Sequence, residues 1–395
     1  VTSIICLSLV KLGNDFLSME EDNISCTTYK LKEKAQQHEV GGLMTPPPAI
    51  IVGPHLEQLP SNLTWVPVPP TERQHRCTGP FQHCCIGQCR RASHVIEPGT
   101  KAYDDLFVRP TAPNMNITDM RGLLAVLDRT VRHLNLPWCT LWFIGDSLSS
   151  DHAMAAICQL MQLGYEISEC NMTFGGPVYG QDQSFCGAQF PNSTLPTEST
   201  IALISNNTNM PCRRIRVRFS ATDGTRRVIN MPEADDEAGA IVYNYGVHCN
   251  DKKCMVDWMR DAFTPFYLNE YLAGPNAAQE RYFLIWREHE PQHFNTPGGL
   301  YKRVARNKKC KAKSPMLSNF RNEIAEQYFK KHESLFGEMP IVRLFEQLKP
   351  MHRFHYNKPG DCTHYCYSPW RFDLSWHGIA QGLEALREKR HSGRK

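Results

Sequence analysis

The sequence predicts an α/β domain, a three-layer sandwich in which helices cover a mostly parallel sheet, with disulfide-rich loops. Three observations predict it. Short apolar runs alternate with stretches of helical periodicity, the pattern of strands joined by crossover helices. The stretch "LWFIGDSLSSDH", residues 141–152, turns from apolar to polar within a few positions, as a buried strand does on entering a tight turn. The chain has 395 residues, 41% hydrophobic and 21% charged, which suits a globular protein with a sizeable core.

The elements follow in order. "CTLWFIGDS" reads as a strand and turn. "SDHAMAAICQLMQLGY" follows as a helix, with apolar residues at helical spacing and a glycine at its end. "GAIVYNYGVH" is a second strand, "CMVDWMRDAFTPFYLNEYL" a helix and "ERYFLIWREHEP" a third strand. "LSNFRNEIAEQYFKKH" is a helix, "PIVRLFEQL" a fourth strand and "LSWHGIAQGLEALREKR" the final helix. In a parallel sheet, function gathers at the carboxyl ends of the strands. Ser147, Asn244, His248, Arg287 and His289 all fall at or just past predicted strand ends.

Residues 1–75 read as an N-terminal stem or linker, because "LMTPPPAIIVGP" and "TWVPVPP" are rich in proline. The apolar "TSIICLSLV" falls far short of the roughly 20 residues that span a bilayer. It reads as the remnant of a signal anchor or as a core strand, and a missing N-terminal anchor is the one expected membrane link. Residues 76–395 read as a compact domain.

A net charge of +4 is too small to argue for nucleic acid. Basic residues gather at "YKRVARNKKCKAK" and in the tail "REKRHSGRK", either as solvated surface or as a site for an acidic glycan or anionic donor. There are 16 cysteines, several within "CTGPFQHCCIGQC". Asn-x-Ser/Thr sequons begin at Asn23, Asn62, Asn116, Asn171, Asn192 and Asn206. Together they favour an oxidising compartment of the secretory pathway. The cysteine-rich segment lacks a clean pair of Cys-x-x-Cys units, which favours disulfides over zinc.

Ser147 has two readings, helix cap or nucleophile, since Ser and Asp both start helices. The segment "PGDCTHYC", residues 359–366, bears on the choice. Asp361 and His364 stand three apart directly after Pro-Gly, a spacing that can place carboxylate and imidazole on one side. Such an Asp fixes the imidazole's tautomer and favours the imidazolium formed in proton transfer. The same residues allow a metal site through Asp361, Cys362, His364 and Cys366, or a purely structural loop. No metal is expected.

"FIGDSLS" together with "DCTHYC" resembles the PC-esterase branch of the SGNH/GDSL hydrolases, and most of all the trichome-birefringence-like polysaccharide O-acetyltransferases. "VYNYGVH" resembles that family's Phe-Asn-Thr-Gly-His strand end, and "REHEPQHFNTPGG" its Arg-x-x-Ser-Pro-x-His-Phe segment. "SPWRFDLSWHG" keeps a Pro, an Asp and a Trp in the family's order. The match covers roughly residues 138–380. It departs at Ser150 and Asp151, where plant members carry Arg and Asn, at Glu290, where they carry Ser, and at His377, where they carry Asn.

The resemblance implies an SGNH-type fold with Ser147, His364 and Asp361 as a triad, and an acyl-serine intermediate. The oxyanion or substrate donors would come from the Ser147 backbone N–H, Asn244, Gly175 or Gly176. Arg287 would bind the acyl donor or pair with a buried acid. The resemblance narrows the compartment to the Golgi lumen or secretion. No bound cofactor is expected. An acetyl donor, acetyl-CoA being one candidate, enters as co-substrate, with a polysaccharide or glycan as acceptor. The alternatives are an ester hydrolase with the same triad and a non-catalytic glycan-binding protein. His377 is the rival base, with Asp373 four residues before it. His152 lies one turn beyond Ser147, and His293 reads as an interior histidine. Trp142, Trp286, Trp370 and Trp376 are core residues or sugar-stacking platforms.

Overall fold

The computed structural model describes residues 63–69, 108–111, 116–174, 196–222, 229–274, 278–301, 310, 317–355, 362–365 and 369–392. The chain divides into two compact units, 1–48 and 49–395, and every described residue belongs to the second. Among the described residues no helix is long and apolar enough to cross a membrane.

The domain is mixed α/β and is built on a seven-stranded, mostly parallel sheet. Nine strands are described. β1 (Thr64–Pro67) pairs with β2 (Val108–Thr111) as a small antiparallel sheet. The large sheet holds β3 (Trp138–Gly145), β4 (Tyr165–Phe174), β5 (Pro196–Ser205), β6 (Arg214–Ala221), β7 (Glu237–Tyr243), β8 (Tyr282–Arg287) and β9 (Ile341–Val342). Their order is β4-β5-β6-β3-β7-β8-β9. β6, β3, β7, β8 and β9 run parallel, and β5 is antiparallel to both of its neighbours.

The apolar runs show why these segments are strands. All eight residues of β3 are buried, which is what a strand packed on both faces requires. Side chains alternate between the faces. Leu141 and Phe143 of β3, Ala240 and Val242 of β7 and Ile285 of β8 join one core. That core also takes in α1 (Met120–Val131), α2 (Ser147–Gln162) and α5 (Asp373–Ser392). Trp142, Ile144, Tyr243 and Trp286 face the other way, into an aromatic core with Trp258 of α3 (Lys252–Trp258) and Phe329 of α4 (Phe320–Lys331).

Two stretches depart from expectation. β4, β5 and β6 form an antiparallel flank that extends the parallel sheet. In β6, Ile215, Val217 and Phe219 point into the core, while Arg216 lies over the Trp138 ring at 4.5 Å and pairs with the buried Glu237. The strand expected over 340–348 stops after Val342. The Glu288 carboxylate accepts the backbone N–H groups of Leu344 (2.8 Å) and Phe345 (2.9 Å), and a helical turn, Phe345–Leu348, begins there. The described part of the expected stem does more than link. Trp65 of β1 donates its indole N–H to the Gln347 carbonyl at 3.2 Å.

Candidate active site

The turn after β3 separates capping from chemistry. Asp146 is the N-cap of α2, and its Oδ1 accepts the Leu148 N–H at 3.0 Å. Its Oδ2 accepts the Val247 N–H at 3.1 Å, which ties the loop after β7 to the helix start. Ser147 is therefore the first helical residue, and its hydroxyl is not spent on the cap. Gly145 makes the turn possible. Its φ is +153°, and a Cβ there would stand 2.0 Å from Asn244 O and 2.4 Å from Ser149 Oγ. From Trp138 to Ser150 every residue except Ser147 is buried.

His364 reaches the hydroxyl of this half-buried serine across the sheet edge. Its Nε2 lies 2.7 Å from Ser147 Oγ, although the two stand 217 positions apart in the chain. With the imidazole proton on Nδ1, Nε2 accepts the serine hydroxyl, the arrangement a general base needs. Asp361, Gly175 and Gly176 lie outside the described residues.

The loop carrying His364 is held from several sides. His293 N donates to Cys362 O at 2.9 Å, and Gln292 Nε2 donates to Thr363 Oγ1 at 2.9 Å. Tyr365 Oη donates to Pro291 O at 2.8 Å, and His355 Nδ1 donates to His364 O at 2.9 Å. Gln292 is itself fixed by Arg321 Nη1 at 3.2 Å. Arg321 also donates to Cys249 O and Val247 O, so one buried cation braces both the β7 loop and the His364 loop. Burial lowers its pKa to about 10, opposed by Asp146.

Cys310–Cys362 closes a 52-residue separation onto the same loop, so Cys362 does not pair with Cys366 and offers no thiolate to a metal. Cys139–Cys212 and Cys249–Cys254 are the other described pairs. Cys310→Ser is expected to lower unfolding free energy by about 2–4 kcal/mol and to reduce turnover by loosening His364. Urea denaturation with an ester assay checks this, and unchanged values in both would refute it.

Beneath Ser147 lies a buried polar cluster. Arg287 at the end of β8 is wholly buried and pairs with Glu290 at 3.4 Å, while Arg371 binds the other Glu290 oxygen at 2.7 Å. Arg287 Nη2 also donates to Ser149 Oγ at 3.4 Å. Of its two expected roles, the structure places Arg287 against a buried acid. Asn244 is also buried, and its Nδ2 donates to Arg287 O at 2.8 Å, joining the ends of β7 and β8.

His152 sits in this cluster. Burial first, then Arg287 and Arg371, push its pKa well below the usual histidine value. Its Nδ1 faces Leu148 O at 2.8 Å and must carry the proton, so Nε2 accepts from Ser375 Oγ at 2.8 Å. The 3.6 Å approach of Nε2 to Glu290 is therefore acceptor against acceptor, not an ion pair. His289 is likewise held neutral, by burial first and then by Arg321 and Arg287.

Two buried neutral histidines make stability depend on pH. Below about pH 6.5, the free histidine pKa, the unfolded chain binds protons at both positions and the fold does not. Unfolding then takes up protons, so stability is full above that pH and is lost as pH falls. The expected slope is up to ~1.4 kcal/mol per pH unit for each histidine. Denaturation at pH 7.5 and 5.5 measures it, and His289→Gln should remove part of the slope. An unchanged slope in that variant would end the assignment.

The other sequence candidates fall elsewhere. His377 Nδ1 accepts from Thr118 N at 3.1 Å, so its ring is engaged by the segment before α1. His293 is interior, as expected, and His248 is exposed. Trp142, Trp286 and Trp376 are buried in the two cores and offer no sugar platform. Trp370 stays partly exposed, on a cleft shared with Arg109, Asp119, Gln162 and Asp373.

Sequence reading missed Gln292, Arg321, His355 and Arg371. Gln292 and Arg371 carried a signal, since they stand inside the "REHEPQHF" and "SPWRFDLSWHG" segments. Comparison with known proteins finds no matching family model and no matching curated protein.

Proposed function

We propose that the chain is an O-acetyltransferase that moves an acetyl group to a polysaccharide or glycan hydroxyl through an acyl-serine. On this reading the α/β domain is a three-layer sandwich of the SGNH type, related to the PC-esterases. The observation that carries the proposal is the 2.7 Å approach of His364 Nε2 to the hydroxyl of half-buried Ser147, at the carboxyl edge of a central parallel strand. Chance seldom brings a half-exposed serine and an imidazole 217 residues apart into register at such an edge.

In the first half-reaction His364 Nε2 takes the proton as Ser147 Oγ attacks the acetyl carbonyl. The oxyanion is met by the Ser147 backbone N–H, with Gly175 or Gly176 and the second amide hydrogen of Asn244 as further candidate donors. The intermediate collapses, and the leaving group departs with the proton from His364. In the second half, His364 deprotonates a sugar hydroxyl, which attacks the acyl-serine and regenerates Ser147. Asp361 is assigned to the His364 Nδ1–H. Water in place of the sugar gives hydrolysis with the same residues.

Secretory or Golgi residence fits the described disulfides and the exposed sequon residues Asn116, Asn171 and Asn206. The test gives purified protein an acetylated chromogenic ester, with and without a glycan acceptor. Acetylated glycan supports transfer. Free acetate alone replaces transfer by ester hydrolysis. No release and no acyl-enzyme with any acyl donor would overturn the enzymatic reading.

A further inference from the structure

We infer that His293 and His355 share one extra proton and act as a singly charged positioning pair that fixes the His364 backbone. This rests on the catalytic reading of Ser147 and His364. The argument is a proton count. His355 Nδ1 lies 2.9 Å from His364 O, and His293 Nε2 lies 2.8 Å from Lys349 O. A carbonyl only accepts, so each of these nitrogens carries a hydrogen. A neutral imidazole has one N–H, so both neutral rings are now fully used. Yet the remaining nitrogens, His293 Nδ1 and His355 Nε2, face each other at 2.5 Å. Two lone pairs repel at that distance, and an N–H···N bond between them needs a third proton. Three protons on two rings make a cation.

The rings are 0% and 2% exposed, so burial opposes that charge and the contacts around the pair must offset it. Tyr365 packs against His355 with ring centroids 4.1 Å apart and planes tilted by 33°, within reach of a cation–ring contact, and its hydroxyl oxygen lies 3.4 Å from His293 Nδ1. Arg371 also lies over the Tyr365 ring, 4.7 Å from its centroid, with its charge countered by Glu290. Lys349 gives the pair its carbonyl, while its ammonium turns to Glu346 at 2.6 Å. His364 presents its carbonyl to the pair and its Nε2 to Ser147.

Loss of the shared proton at higher pH would set the two lone pairs against each other. His355 would then release the His364 carbonyl, and the base would drift from Ser147. The pair thus predicts an alkaline fall in turnover, separate from the rise as His364 itself deprotonates.

The test has two arms, both on the full chain. The first is proton and nitrogen NMR of ¹⁵N-histidine protein between pH 5.5 and 7.5. It should show a far-downfield N–H–N proton that correlates with both rings and is absent from His355→Asn. The second is the pH profile of ester turnover. His355→Ala is expected to lower kcat about 10²-fold with KM unchanged, the cost of misplacing a catalytic group by about an ångström. His355→Asn keeps a donor for His364 O, so it should recover most of that loss and lack the alkaline fall. A wild-type spectrum with both rings neutral, in active protein, would overturn the pair whether or not the variants fold. Esterase activity that survives Ser147→Ala would instead overturn the catalytic reading and leave the spectral result standing.

Discussion

Replacing Ser147 by alanine is expected to lower kcat by about 10⁵- to 10⁶-fold, the scale on which nucleophile loss acts in serine triads. The fold should survive. Ser147 is half-exposed, Asp146 rather than Ser147 caps α2, and alanine suits a first helical turn. Stability is therefore expected to stay within about 0.5 kcal/mol of the parent. His364→Ala should fall nearly as far, and the double variant no further, because nucleophile and base act as one unit. Single-turnover assays with an acetyl ester, read by mass spectrometry for a covalent adduct of 42 Da (roughly the mass of one acetyl group, by the ester chemistry proposed), check the prediction. Adduct formation on the alanine variant would sink it.

The frame around that serine was legible because its signals were local. The apolar run 138–145 ends in Gly-Asp-Ser, and a buried parallel strand has few other ways to read. The loop carrying His364 was legible for the same reason, and its meeting with Ser147 followed from placing both at one sheet edge, while Asp361 lies outside the described residues. The antiparallel flank was not called, although β6 alternates cleanly as Ile215, Val217 and Phe219 between arginines. Its alternating arginines match a half-solvated strand, and Glu237 draws two of them against the sheet. The bracing residues were hidden for a different reason. Arg321 stands in an ordinary amphipathic helix, and nothing local says that its guanidinium reaches Gln292 and Val247 O. His355 sits in a basic, proline-containing turn, and only the folded chain brings its ring to His293. Three of the four tryptophans offered for sugar stacking went to the core, the default for a large ring on a buried strand or helix.

Glu290 exposes the other kind of dependence, since it stands where the resembled family has serine and its charge is matched from two sides. Glu290→Ala is expected to lower unfolding free energy by about 3–5 kcal/mol, the cost of leaving buried charge uncompensated. Glu290 is 1% exposed, and its partners Arg287 and Arg371 are 0% and 4% exposed. Burial already holds the Arg287 pKa below the usual value, with Glu290 the largest opposing influence. Removing the carboxylate leaves two guanidinium groups facing each other without solvent. Glu290→Gln keeps the shape and an acceptor for Arg371 but not the charge, so its loss should be intermediate. The effect should reach the site as well. Arg287 Nη2 contacts Ser149, and His152 of the same helix rests against the cluster, so α2 should shift beneath Ser147. Turnover should then fall with stability in both variants, the alanine more than the glutamine. Urea denaturation followed by tryptophan fluorescence measures the first effect and ester turnover the second. A Glu290→Ala protein within about 1 kcal/mol of the parent would show that the arginines find other partners or water, and that the cluster does not support the nucleophile's helix.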